Sequence, residues 1–411
     1  MKDVVCPYCF KTFSQKEVMF RCKNSSCPGI DEDPVLKAHW EQYQIQVSKK
    51  APALMPPRKW FSAPEKAVCP ECGVETYWMI CPHCHNRLDS DFVLKPGKII
   101  SIVGSRSCGK TIYITALIEQ LKRYGSKMGE LGIQDSTVAD DKNAITGARF
   151  KRDFWTPLFG EGSCPPGTKD DDPYREVPLI YTINQTGQSP LHLVLYDTSG
   201  ENFQEGKEEN IQNNMRFLQN SDAIIFLFDI TSIPSIHDGL KERGVPLDIA
   251  EYDLQQVVNS LSQQSDIKKR LQKIPKAVVF TKIDLYLDHL TEKLGHIPEL
   301  NKGQNSPFID DLGIDFDIID GASLALQNAL LNGVWGPEGS QLLLNFPRNV
   351  KSNADVDPLV HFFGVSSLGK SPRDNQVLDS QGRPSVEPFR VLDPLVWILH
   401  KFGYKLKTQR K

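Results

Sequence analysis

From about residue 95 onward, apolar positions fall into short strand-like blocks separated by stretches of helical spacing. Residues 98–103 (KIISIV) read as a buried strand, and residues 112–124 as an amphipathic helix. Residues 177–184 and 189–196 read as a hairpin, and residues 276–280 and 360–365 as two further strands. Helical patterns are expected over about 136–155, 320–331 and 393–405. In the last of these, Leu395, Val396, Ile398, Leu399 and Phe402 form an apolar face that would pack on a sheet edge. Strands alternating with helices predict an α/β domain with a mostly parallel sheet. Upstream of residue 95 the pattern is different: close cysteine pairs replace long apolar periodicity.

Composition narrows the class. A chain of 411 residues implies two or three domains, and 40% hydrophobic with 24% charged residues describes a soluble globular protein. The longest apolar run, residues 223–228, is far short of a membrane span. Residues 1–6 have no apolar signal-peptide core, so a cytoplasmic location is expected. Lys plus Arg is 48 against 51 for Asp plus Glu, a net charge of −3, which gives no electrostatic case for wrapping nucleic acid. Residues 1–95 alone carry 13 basic and 11 acidic side chains, a near-even balance that weakens the electrostatic case for a nucleic-acid role of the front end.

Eight of the ten cysteines lie in the first 84 residues, as Cys6/Cys9, Cys22/Cys27, Cys69/Cys72 and Cys81/Cys84. A tight turn aims two thiolates at one ion, and two such knuckles complete a closed tetrahedral Zn²⁺ site. Two structural zinc ribbons are therefore expected: Cys6, Cys9, Cys22 and Cys27 in residues 1–45, and Cys69, Cys72, Cys81 and Cys84 in residues 65–94. Cross-braced pairing fits the spacing too. His83 and His85 stand in and beside the last knuckle as substitute ligands or as solvent-facing residues. Between the ribbons, residues 46–64 form a basic, proline-rich linker with Pro52, Pro56, Pro57 and Pro64 among Lys49, Lys50, Arg58 and Lys59.

The chemistry-bearing motifs follow. The strand at 98–103 runs into Gly104-Ser105-Arg106-Ser107-Cys108-Gly109-Lys110-Thr111, a G-x-x-x-x-G-K-[ST] loop that opens a helix. Backbone N–H groups of such a loop cradle phosphates, the lysine reaches the β- and γ-phosphates, and the threonine hydroxyl binds Mg²⁺. A second strand ends in Asp197-Thr198-Ser199-Gly200-Glu201, where Asp197 would serve the magnesium and the Gly200 N–H the γ-phosphate. A third ends in Thr281-Lys282-Ile283-Asp284. This string resembles the [NT]-K-x-D guanine signature, which implies that Asp284 would accept from guanine N1–H and N2–H₂, groups adenine lacks, and that the stem of Lys282 would lie over the purine. A fourth ends in Ser366-Ser367-Leu368-Gly369.

In order and context these motifs resemble the P-loop GTPases of the translation-factor-related class. That resemblance covers about residues 95–406 and implies a three-layer α/β/α sandwich, with insertions at about 126–176 and 286–358. It implies D-x-x-G at Asp197–Gly200, [NT]-K-x-D at Thr281–Asp284, and a guanine O6 contact from the Ser366-Ser367 backbone. It also implies a magnesium-binding threonine in switch I: Thr168, with Thr182 and Thr186 as alternatives. Glu201 stands where a water-orienting glutamine or histidine is usual, and its charge opposes the charge developing on the γ-phosphate. Arg106 inside the loop supplies cis positive charge or faces solvent. Slow intrinsic GTP hydrolysis, improved by an activator or by self-association, is the expectation, with Lys110, Thr168, Gly200 and Glu201 in the catalytic roles. Zinc ribbons joined to such a domain resemble bacterial conflict-associated GTPases of double-GTPase type. A regulatory switch whose ribbons meet a protein effector is the expected function; a non-hydrolysing adaptor and a GTP-gated nucleic-acid binder are the alternatives.

Overall fold

The computed structural model describes residues 3–56, 63–104, 108–136, 144–165, 177–195, 218–247, 265–290, 295–300, 308–309, 313–346, 348, 350–352 and 355–409. The chain divides into two compact units. The first comprises Met1–Ile99, Gln134–Phe150 and Thr168–Asp197. The second comprises Ile100–Ile133, Lys151–Gly167 and Thr198–Lys411.

In the first unit, three cysteine knuckles share one local geometry. Each first cysteine exchanges backbone hydrogen bonds with the residues just beyond the second: Phe10 N to Cys6 O (2.9 Å), Gly73 N to Cys69 O (2.8 Å) and His85 N to Cys81 O (2.9 Å). The residue that closes each turn is left-handed, with φ of 55° at Phe10, 70° at Gly73 and 56° at His85. Around the knuckles run short antiparallel strands. Met19–Arg21 lies between Ala53–Leu54 and Trp78–Ile80, so segments far apart in sequence share a sheet. A short helix, Pro34–Glu41, starts where Asp33 accepts the N–H groups of Val35 and Leu36 and Pro34 occupies the first turn. It buries Leu36 and Trp40 in an apolar cluster that includes Val4, Phe13, Phe20, Met79 and Phe92. The expected hairpin is present as Leu179–Asn184 paired antiparallel with Leu191–Leu195.

The second unit is built on parallel strands. We label β1 Lys98–Gly104, α1 Lys110–Gly129, β2 Ala223–Asp229, α2 Pro234–Glu242, β3 Lys276–Thr281, α3 Phe316–Leu331, α4 Gly336–Asn345, β4 Val360–Gly364 and α5 Asp393–Lys401. The order β4-β3-β2-β1 is parallel throughout, and the large sheet of the chain is mostly parallel. Alternation along the strands sorts the two faces. Ile224, Phe226, Phe228, Val278, Phe280 and Phe362 point into a cluster with Ile236 and Leu240 of α2, Leu326 and Leu330 of α3, and Leu342 of α4. The opposite face, with His361 and Phe363, is covered by α5, whose Trp397 stacks on His361 at 4.6 Å. Helices on both faces make the expected three layers. The terminal helix crosses β2, β3 and β4 rather than sitting on an edge, because its apolar residues are buried on all sides.

Two expected helices differ in detail. Of the residues expected as one helix over 136–155, the described ones include a helical turn at Thr146–Arg149 that continues as a wide-turned segment, Phe150–Gly160, containing Pro157. Proline removes an N–H from the regular ladder, which accounts for the irregular turn. The helix expected at 320–331 begins earlier, at Phe316, capped by Asp315. Just beyond the wide-turned segment, Gly162–Cys164 is strapped to the loop that follows β4. Val377 N donates to Gly162 O (2.7 Å) and Cys164 N to Asn375 O (2.8 Å), while Leu158, Leu368 and Val377 pack together.

Candidate functional site

The eight N-terminal cysteines form two tetrads, and their membership corrects the expected pairing. Cys6, Cys9, Cys81 and Cys84 come together, and so do Cys22, Cys27, Cys69 and Cys72. The pairing is nested: the outer two knuckles share one site and the inner two share the other. The reason is the sheet, which pairs Met19–Arg21 with Trp78–Ile80 and so brings the first and last knuckles to one place. Across the sites, Sγ···Sγ separations are 3.7 Å (Cys6–Cys84), 3.8 Å (Cys9–Cys81), 3.6 Å (Cys22–Cys72) and 3.7 Å (Cys27–Cys69). Four sulfurs at zinc-bond length on tetrahedral corners would lie about 3.8 Å apart, so both donor sets fit Zn²⁺. None of these cysteines is disulfide-bonded. Burial drives the Cys6 and Cys84 thiols well above their usual range, while hydrogen bonds from Cys6, Cys81 and Cys84 pull Cys9 down. Such a cluster holds few negative charges by itself and takes up four once a cation is bound.

Neither histidine belongs to a tetrad. His83 Nε2 lies 3.2 Å from the Thr12 carbonyl. His85 is neither ligand nor solvent-facing: its Nδ1 is 2.9 Å from the Asp33 carboxylate, which Arg21 Nη1 approaches at 2.7 Å. Burial opposes the Asp33 charge, but the hydrogen bonds from His85, the Leu36 N–H and Arg21 outweigh it and hold the carboxyl well below its usual range. Asn86 supports the outer site: Nδ2 donates to Cys84 Sγ (3.3 Å), and its Oδ1 accepts from Trp40 Nε1 (2.9 Å). The close-pair spacing gave no hint of these supporting residues, since they act through the tertiary fold.

In the second unit the motif residues gather at the C-terminal ends of the parallel strands, where ligands of open α/β sheets bind. The strand registers align Gly104 with Leu227, Asp229 with Thr281, and Phe280 with Gly364. Gly104 allows a close approach, since a Cβ there would meet Cys108 Sγ at 2.5 Å. Gly109 is needed for conformation, with φ of 78° at the start of α1. Lys110 opens α1 and is buried, and Thr111 is half-buried beside it. Ser105, Arg106 and Ser107 lie outside the described residues, as do Thr168, Asp197, Gly200 and Glu201. Thr182 is on the hairpin with its Oγ1 3.1 Å from His192 Nδ1, and Thr186 is in the hairpin turn.

The Thr281–Asp284 segment is fastened to the phosphate loop. Thr281 Oγ1 donates to the Cys108 carbonyl (2.7 Å) and lies 3.1 Å from the Phe228 carbonyl. Lys282 takes the left-handed conformation (φ 56°, ψ 30°), and its ammonium bonds Asp229 Oδ2 at 2.6 Å. Asp284 is buried in the first turn of the following short helix. The loop after β4 closes from the other side: Ile283 N donates to Val365 O (3.1 Å) and Val365 N to Phe280 O (2.9 Å). Ser366 is buried, and its N–H already donates to Phe389 O at 3.0 Å while its hydroxyl accepts from Gly369 N at 2.9 Å. Ser367, half-buried, is the neighbour in that loop. Asp229 was not singled out from the sequence. Its signal was an aspartate ending an apolar run, the same pattern that marks Asp197.

A glycine loop between a buried strand and a helix, tied through a threonine hydroxyl to a T-K-x-D turn on a parallel sheet, defines a P-loop GTPase-type nucleotide-binding domain. The chain belongs to the Double-GTPase 2 family, whose profile matches residues 98–308. It is 26% identical over 333 residues to SaeC of Mycolicibacterium smegmatis, a candidate ESX-1 scaffolding and assembly protein, covering 79% of this chain and 80% of that one. Among solved structures it is similar to the S. cerevisiae Ski7 GTPase-like domain bound to GTP, at 12% identity and a TM-score of 0.32. That match covers 78% of this chain and 54% of the other, so the chain spans about half the length of the Ski7 structure. The signal recognition particle receptor SRb-GDP from Chaetomium thermophilum matches at 12% identity and a TM-score of 0.24, covering 67% of this chain and 92% of that one. Among the described residues no helix is long and apolar enough to cross a membrane.

Proposed function

We propose that this chain is a regulatory GTPase that binds GTP with Mg²⁺ and hydrolyses it slowly, and that its zinc-bound front end receives or presents that state to a protein partner. The observation that carries the reading is the Thr281 hydroxyl bonded to the Cys108 carbonyl, which supports one pocket made of a phosphate loop and a guanine-reading turn. Gly104–Thr111 would hold the phosphates, with Lys110 neutralising the β- and γ-phosphate oxygens as negative charge develops between them. Thr111, with Asp197 and Thr168, would hold Mg²⁺, which supplies Lewis-acid neutralisation of the phosphate oxygens when bound. Glu201 would orient the attacking water. Asp284 would accept from guanine N1–H and N2–H₂, with the stem of Lys282 across the purine face and Ser367 at the O6 edge. Thr168 would close residues 160–173 over the γ-phosphate, which GDP cannot do. The eight cysteines would hold two structural Zn²⁺, closed sites that serve the fold and leave no position for catalysis.

Base reading is tested by Asp284→Asn. The variant should lose GTP and gain xanthosine triphosphate, because xanthine offers a carbonyl where guanine offers its amino group. Wild-type protein that binds ATP as tightly as GTP would remove the base assignment.

A second reading, a non-hydrolysing adaptor whose nucleotide stabilises the fold, is favoured by the scaffolding and assembly role in the name of the M. smegmatis relative. Digestion separates the two. A switch protects residues 160–173 with a non-hydrolysable GTP analogue and leaves them open with GDP; an adaptor gives equal digestion in both states.

A further inference from the structure

Asp229 ends β2 and is 5% exposed. One carboxylate oxygen, Oδ1, accepts the Thr231 N–H at 2.9 Å and the Thr231 hydroxyl at 2.7 Å. The other, Oδ2, receives the Lys282 ammonium at 2.6 Å. Two uncharged donors on Oδ1 come from the turn immediately after the strand, so they orient the carboxylate by a local contact. Lys282 reaches it from a different part of the chain, and it does so from a left-handed backbone that a lysine adopts only under constraint. The neighbouring Thr281 sits opposite Asp229 in the β2–β3 register. The lysine therefore crosses from the end of β3 back to the end of β2, with its half-buried stem stretched between them.

We infer that Asp229 is a positioning residue for purine binding: by holding the Lys282 ammonium, it lays the four-carbon stem out as a flat apolar wall for the base. The inference rests on the guanine reading of Thr281–Asp284 and adds a residue to it. A lysine stem left to itself samples many rotamers, and pinning its tip at a buried, pre-oriented carboxylate removes that freedom before the base arrives. The wall touches the face of the ring and not its edge. Asp229 should therefore set affinity for purines as a class, while Asp284 selects among them.

The experiment measures GDP affinity and dissociation rate for wild type, Asp229→Asn, Lys282→Ala and the double variant. Asp229→Asn keeps the Thr231 bonds and removes only the charge. Losing one buried charge-assisted hydrogen bond should weaken GDP binding by about tenfold. In the Lys282→Ala background the same change should do little, because the stem it positions is gone. The loss should be equal for GDP in the wild-type background and for xanthosine diphosphate in the Asp284→Asn background. General damage to the fold would instead add to the Lys282→Ala effect and lower the melting temperature of both. Unchanged GDP affinity in Asp229→Asn, or strictly additive losses, overturns the inference while the guanine reading stands. Wild-type protein that does not bind GDP overturns the guanine reading and this inference with it.

Discussion

The Thr281 side chain joins two motifs that are 173 positions apart in the chain, because its hydroxyl is the donor to the Cys108 carbonyl. Both partners are buried, so a carbonyl deprived of that donor would lose a bond it cannot replace from water. Thr281→Val keeps the shape and removes the donor. We expect it to cost about 1–3 kcal/mol of stability and to weaken GTP binding, read by thermal unfolding and by nucleotide titration. Unchanged stability and affinity would mean the bond is incidental. The residues of this site were legible one motif at a time: Gly104, Gly109, Lys110, Thr281 and Asp284 sit where short-range chemistry requires them. Asp229 and Asn86 were not legible, because each acts on a partner supplied by another segment. Ser366 shows the reverse case. Its sequence context suggested a ligand contact, yet its N–H is taken by Phe389, a bond that depends on how a long loop returns to the sheet.

At the scale of elements, the strands with unbroken apolar runs were the easiest to read, since burial on both faces of a parallel sheet demands them. The short helix Ser265–Leu271 was not read, and its junction with β3 depends on a buried lysine. Lys276 is fully buried at the start of β3, where Nζ donates to the carbonyls of Leu271 and, at 3.0 Å, Ile274. A cation there complements the carbonyl end of the helix. Burial nevertheless lowers its pKa to about 8, with Asp357 opposing the shift. Between about 8 and the usual lysine value the unfolded chain binds the extra proton and the folded chain does not, so stability should rise with pH across that window. Below pH 8 both states are protonated and the contribution is flat. Subtracting the pH profile of Lys276→Met from that of wild type isolates this slope, and a difference that is flat or falls from pH 8 to 10 would contradict it.

For the molecule as a whole, the front end is where the sequence was least able to fix the arrangement. Spacing identified all eight cysteines of the tetrads but not how they group, because the nested pairing follows from a sheet that joins Met19–Arg21 to Trp78–Ile80. One consequence is measurable. Each tetrad draws on both ends of residues 6–84, so removing one knuckle should release order throughout that region rather than in one half. Purified protein should carry two Zn²⁺ per chain. Cys81→Ser should reduce that to one and raise protease sensitivity at both residues 1–21 and residues 78–94. Cleavage confined to residues 65–94 would favour consecutive pairing instead, and zinc content that stays at two would remove Cys81 from the zinc-holding set under either pairing. Cys108 and Cys164 should be dispensable for zinc.

Turnover at this nucleotide site is what separates a switch from a nucleotide-stabilised adaptor. Single-turnover hydrolysis of radiolabelled GTP, with protein in excess over nucleotide and Mg²⁺ present, tests it most directly. Wild type should release inorganic phosphate slowly, with the release lost on chelation of Mg²⁺ and lost in Lys110→Ala, and ATP should not be consumed. GTP that binds tightly to wild type yet stays intact over many hours would contradict the switch and leave the adaptor reading in its place.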